Sequence, residues 1–184
     1  MAHPVMLCYG PGQYRPQASA TGLAVSHMLD LTNSDLNVWE FPQGVESVIY
    51  LGPPHRVDSA PSGNVHVHLN YTVPEMWYPT TTDTTTTTTH TTPTTTTPSG
   101  GWFVDWELLW RAIAVGESVD TAWSSLNLSN DVPEDAYDLS DVSAESWDPS
   151  WQAGDKVEFG VKRDNDDEWP TVAWFIHLHV HYDT

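Results

Sequence analysis

Two runs late in the chain set their side chains in strict alternation. In Lys156–Arg163, Val157, Phe159 and Val161 fall on one side, and Lys156, Glu158 and Lys162 on the other. Further on, Ile176, Leu178, Val180 and Tyr182 share one side while His177, His179 and His181 share the opposite one. Successive side chains leave a strand in opposite directions, so a repeat of two marks a strand with one buried face. A helix would scatter either apolar set around its whole circumference. The polar stretch Asp164–Pro170 lies between the runs, which predicts a β-hairpin with a long loop closing a sheet.

The same logic read along the chain predicts about eight strands. Leu36–Pro42, Ser47–Leu51 and Val65–Val73 read as strands, the last with Val65, Val67, Leu69 and Tyr71 inward and His66, His68 and Asn70 outward. Trp102–Gly116 fits both a strand and a helical stripe, and its tryptophans and flanking glycines favour the strand. Ser124–Ser129 is a further short strand, and Leu139–Val142 pairs briefly within an acidic loop running from Asp131 to Asp148. Many short strands at close spacing predict an all-β fold, an antiparallel β-sandwich of jelly-roll type. Residues 1–35, broken by Pro4, Pro11 and Pro16 and several glycines, read as an extended N-terminal arm docked on a neighbour. Within that arm Gly22–Leu31 is either one strand or two helical turns. The sandwich domain then spans 36–184. It carries a low-complexity insertion at 80–98, where 15 of the 18 residues from Thr80 to Thr97 are threonine, too polar a run to build a core. Three readings of that tract stay open: a flexible spacer, an O-glycosylated stalk, or a tip that gains β-structure only against symmetry mates.

Charge narrows the function. With 25 acidic and 6 basic residues the formal net charge is −19. Such a surface repels nucleic-acid phosphate and anionic membranes. It also strains a compact state by self-repulsion, which concentrated salt screens to within about 3 Å at 1 M. Acid-rich and lysine-poor, the chain is expected to come from a salt-loving source. The single cysteine, Cys8, excludes an internal disulfide framework. The start of the chain lacks a basic segment followed by an apolar one, so maturation inside a cell is expected.

The histidines are the candidate chemistry. Imidazoles at i and i+2 on one strand face lie close enough for two to share a metal ion, which makes His66, His68, His177, His179 and His181 candidate metal ligands. The bland reading is an outward polar row paired with carboxylates across strands. No catalytic residues and no cofactor are expected beyond such an ion. Cys8 lies in the arm with no basic partner in sequence. The loop Asp164–Glu168 offers carboxylates for Ca²⁺ but lacks the glycine and spacing of an EF-hand loop, so a solvated turn is expected. Arg111, Arg163 and the His55–Arg56 pair are expected to meet carboxylates structurally.

The order of these motifs resembles the small β-sandwich proteins of tailed-virus particles: head decorations, turrets and fibre modules. The resemblance rests on Trp39-Glu40-Phe41, Gly63-Asn64-Val65, Val104-Asp105-Trp106, the Ala153–Asp164 stretch and the closing Val180-His181-Tyr182. It covers roughly residues 36–184, and only Ala153–Asp164 is moderately specific. It implies a jelly-roll subunit, self-associated as a homotrimer, with no catalytic residues. Partners implied are copies of the chain, major capsid or other virion proteins met through the arm, and a host surface glycan if the role is receptor binding. With the acidic composition, the resemblance implies a virion component of a tailed virus of a halophilic archaeon, assembled in the host cytoplasm. His66-x-His68 also resembles the metal motif of cupin enzymes, although the next acidic residue, Glu75, stands further away than that motif expects.

Overall fold

The structure is a computed structural model and describes residues 4–9, 14–16, 25–31, 34–45, 47–74, 102–132, 135–164 and 167–184. No described residue lies in a helix. Eleven strands are described: β1 Pro4–Tyr9, β2 Tyr14–Pro16, β3 Val25–Leu31, β4 Ser34–Phe41, β5 Ser47–Arg56, β6 Val65–Thr72, β7 Phe103–Ile113, β8 Ser124–Asp131, β9 Ser140–Trp147, β10 Lys156–Arg163 and β11 Ala173–Asp183. They form two antiparallel sheets, a jelly-roll-like β-sandwich. The first runs β3-β4-β11-β6-β9 with β1 also on β11; the second runs β2-β5-β10-β7-β8. The threonine-rich insertion lies outside the described residues.

The two alternating runs that dominate the sequence hold interior positions, one per sheet. β10 lies between β5 and β7, and β11 between β6 and an edge shared by two strands. On that shared edge β4 pairs with Ala173–Phe175, and β1 takes over from Leu178 to Asp183. The stretch expected as an arm docked on a neighbour is therefore, where described, part of the chain's own sheets. β1 pairs β11, β2 pairs β5 and β3 pairs β4. Pro4 and Pro16 lie at the ends of β1 and β2, and the alternation in these short strands is too brief to stand out in sequence. Within Gly22–Leu31, the described residues Val25–Leu31 form the strand β3.

Among the described residues the ladders shift register at three places: in β11, in β5 and between β6 and β9. The register of β11 shifts between Phe175 and His177, so Phe175 and then Leu178, Val180 and Tyr182 face the core while Ile176 falls out of phase. A bulge of one residue swaps the two faces of everything beyond it. β5 runs on through Gly52-Pro53-Pro54 to Arg56, past its expected end at Leu51, with a bulge opposite Val157–Phe159. Prolines survive there because β2 covers only Ile49–Leu51, leaving the far side of the proline segment without a described ladder partner.

Between the sheets, Trp106 of β7 is 1% exposed and packs on Phe41 of β4, Tyr71 of β6 and Phe175 of β11, with ring centres 5.2, 5.5 and 6.3 Å away. A second aromatic knot gathers around Trp151, from the β9–β10 connection, which meets Trp110, Trp147, Phe159 and Tyr182. Arg163 closes one end of the sandwich. It faces inward from β10, 1% exposed, and forks onto Asp167 at 2.6 and 2.7 Å. Its remaining donors reach the carbonyls of Phe41, Thr171 and Trp169. Asp167 thus turns into the protein, so the acidic loop does not present its full set of carboxylates to solvent as the Ca²⁺ reading requires.

Candidate functional site

The outer face of the first sheet carries a two-rung ladder of metal-ligating and acidic side chains. On antiparallel strands, directly opposed residues share a face. β11 sets His179 opposite His68 of β6 and His181 opposite His66, so the two histidine rows read from sequence lie side by side. Their ring centres are 5.9 Å apart for His68–His179, 4.7 Å for His66–His181, 5.6 Å for His68–His181 and 5.2 Å for His179–His181. His177 stands at the far end, opposite Asn70 and 6.2 Å from the ring of His179. All five candidate ligands therefore share one face, outside the core. Among the described residues, no three His, Cys, Asp or Glu side chains already converge on one metal position.

Both neighbours of this pair of strands add to the ladder. From β9, Glu145 accepts from His66 Nδ1 at 2.6 Å, and Asp141 from His68 Nδ1 at 3.0 Å. This is the cross-strand His–carboxylate pairing expected of an outward polar row. The bond from His66 holds the Glu145 carboxyl below its ordinary value. From β1, Cys8 lies opposite His179 and Met6 opposite His181, both exposed. Cys8 is thus beside an imidazole, contrary to the expectation that it has no such partner. Sequence reading missed Met6, Cys8, Asp141 and Glu145 because it did not know which strands flank β6 and β11. The cupin comparison required His66 and His68 to face an enclosed cavity; they face outward, and Glu75 lies outside the described residues.

Burial, with the neighbouring His179, pulls the His177 pKa below 6.5. His181 is lowered by burial and by His66, His179 and His68, with Glu145 opposing. A histidine with a depressed folded-state pKa stabilises the fold above its unfolded value and loses that contribution as pH falls through the folded value. The melting temperature is therefore expected to drop from about pH 6.5 downward. A His177→Gln/His181→Gln double variant should flatten that slope in a pH series of thermal melts.

A second constellation sits on the outer face of the other sheet. Tyr50 of β5, Glu158 of β10 and Arg111 of β7 occupy adjacent strands, with Gly160 opposite Tyr50 and Glu158 opposite Arg111. Arg111 binds Glu158 at 2.6–2.7 Å, donates to the carbonyls of Val119 and Thr121, and lies 4.7 Å from the centre of the Trp123 ring. Trp123 in turn leans on Tyr50, with ring centres 4.8 Å apart. A Cβ on Gly160 would come within 3.1 Å of the Tyr50 ring, so the glycine lets that ring lie against β10. Tyr50, Arg111, Trp123 and Glu158 line an open cleft of ≈ 340 Å³ that also includes Gly52 and Pro54. Arg111 and Arg163 do meet carboxylates as expected, Glu158 and Asp167, whereas His55 bonds the Tyr182 hydroxyl at 3.0 Å.

No protein-family model matches the chain, and no curated protein matches it. Among solved structures it is similar to the CBM22-2 xylan-binding domain of Paenibacillus barcinonensis Xyn10C, with a TM-score of 0.50 and 7% sequence identity over 96% of this chain and 98% of that one. At that identity the likeness concerns the fold, and it agrees with the β-sandwich described above.

Proposed function

We propose that this chain is a non-catalytic structural subunit of a tailed-virus particle, a capsid decoration or turret component of a virus whose archaeal host lives in strong salt. One observation carries the reading. The Ala153–Asp164 stretch, the most specific part of the resemblance, contains β10, an interior strand of one sheet, and the closing strand that carries Tyr182 is an interior strand of the other. The motif order is thus the skeleton of the sandwich. Self-association, as a homotrimer, would use apolar side chains that project from loops: Val115 and Val119 are 86% and 75% exposed, and Leu139 is 64% exposed. The N-terminal stretch would meet the shell.

Labelling virus particles with an antibody against the chain tests this directly. Regular label over the head is expected; chain found only outside particles overturns the reading. The same subunit, at a net charge of −19, should unfold at a higher temperature in molar KCl than in dilute buffer.

A second reading, a tail-fibre or receptor-binding module that grips a cell-surface glycan, is favoured by the cleft at Tyr50 and Trp123. An aromatic platform beside an Arg–Glu pair offers a sugar both a flat apolar face and fixed polar partners. A xylan-binding domain shares the fold, although the cleft itself is what supports this reading. Glycan-array binding by the purified chain, lost by at least about tenfold in Trp123→Ala with the melt unchanged, is the expected result for this reading. Label over the tail tip would place the module there.

A further inference from the structure

We propose that the outer face of the first sheet is a transition-metal site in which Cys8, His68, His179 and His181 bind one zinc-like ion within a single chain. This reading is independent of the particle role. It starts from strand order. β1, β11 and β6 are consecutive neighbours, and their register puts Cys8, His179 and His68 on one rung with His181 on the next. These are one sulfur and three nitrogen donors, a borderline-soft set suited to zinc and unsuited to Ca²⁺ or Mg²⁺.

The spacing fits. Two imidazoles on one tetrahedral zinc, each nitrogen about 2.0–2.1 Å from the metal, have ring centres about 5 Å apart. The His68, His179 and His181 rings form a triangle with sides of 5.2, 5.6 and 5.9 Å. The donors do not yet meet at a point, but the gap from 5.9 to about 5 Å is within reach of side-chain rotation on an exposed face.

Two further observations point to a ligand. His179 Nε2 is buried and has no hydrogen-bond partner, although it sits in the middle of the ladder. A buried polar atom left unpaired is costly, and a metal ion would satisfy it. His68 bonds Asp141 through Nδ1, which sets the ring orientation and leaves Nε2 as the donor, with Glu145 3.5 Å from that atom. A carboxylate behind the far nitrogen is the usual support of a metal-bound histidine. Glu145 and Asp141 of β9 and His66 of β6 flank the site, and β1 presents Met6 and Cys8 on this face.

The test titrates the reduced full chain with Zn²⁺ by calorimetry in molar KCl and excess Mg²⁺, which occupy the acidic surface. One Zn²⁺ per chain is expected. With Co²⁺ in its place, a near-ultraviolet thiolate-to-cobalt charge-transfer band should appear. Cys8→Ser and His179→Gln should each weaken binding by about a hundredfold, since even residues behind the ligands cost about 10–100-fold. Asp141→Asn should weaken it by about tenfold, and His177→Gln should leave it unchanged, each with native circular dichroism. Absence of zinc uptake, a cobalt spectrum without the thiolate band, or binding that survives both Cys8→Ser and His179→Gln overturns the proposal.

Discussion

Arg163→Ala is expected to destabilise the fold by about 3–5 kcal/mol, the usual cost of removing one partner from a buried ion pair. The side chain is 1% exposed and serves five acceptor contacts at once: both Asp167 oxygens and the carbonyls of Phe41, Thr171 and Trp169. Removing it strands a buried carboxylate, the buried carbonyls of Phe41 and Trp169 and the half-buried one of Thr171. Burial pushes the Asp167 carboxyl above its ordinary value while Arg163 pulls it down. Desolvation offsets much of the attraction within a buried ion pair, whereas its breakage is expensive. Geometry adds to the effect. Arg163 belongs to β10 of the second sheet, and the Phe41 carbonyl it holds belongs to β4 of the first, so the guanidinium ties the sheets together at one end. For a chain of this size, about 2–4 °C of melting temperature per kcal/mol makes the drop on the order of 10 °C. Lysine cannot reproduce the planar fork, so Arg163→Lys should fall between wild type and alanine. An Arg163→Met/Asp167→Leu pair should recover part of the loss, because no charge is then left buried and unpaired while the three carbonyls still lack their donor. Thermal melts of the four proteins check the ordering.

How much of this was legible in the sequence depends on whether the information was local. β6 and β10 were readable in full, because each buries one face and wets the other, and an antiparallel sheet then writes its two faces into alternate residues. The Trp102–Gly116 run resolved as the strand β7 for the same reason, with Val104, Trp106 and Leu108 all turned inward. β11 was legible as a strand, but its bulge was not, since the histidine row beyond it keeps perfect alternation. β1 is six residues with only Val5, Leu7 and Tyr9 alternating, too few to outweigh the prolines and glycines around it. Both histidine rows were visible in sequence. Their adjacency, and the arrival of Cys8 beside them, follow from strand order and could not be. The Tyr50, Arg111, Trp123 and Glu158 cleft is the extreme case, because its residues come from four separate segments with no shared spacing. Arg163 was expected to find a carboxylate; that it would find Asp167 and bridge both sheets required the loop's path.

Trp106→Ala is the second large effect, again about 3–5 kcal/mol, and it probes a different physical term. Where Arg163 holds the sandwich by directed hydrogen bonds, Trp106 holds it by area. Its ring meets Phe41, Tyr71 and Phe175, one from each of three adjoining strands of the opposite sheet. Truncation removes those contacts and leaves a cavity that the neighbours, themselves fixed in β-ladders, fill only in part. Trp106 Nε1 is buried without a hydrogen-bond partner, so deletion forfeits no hydrogen bond, and Trp106→Phe should cost less than Trp106→Ala. The two deletions should also respond differently to denaturant. The tryptophan cavity is a loss of packing with the charge network intact, so Trp106→Ala should move the denaturant midpoint at constant slope. Combined with Arg163→Ala, the losses should exceed or fall short of simple addition, since both residues act on β4 at Phe41, one through its carbonyl and one through its ring. Independent, strictly additive losses in the double variant would show that Phe41 does not couple the end clasp to the aromatic centre.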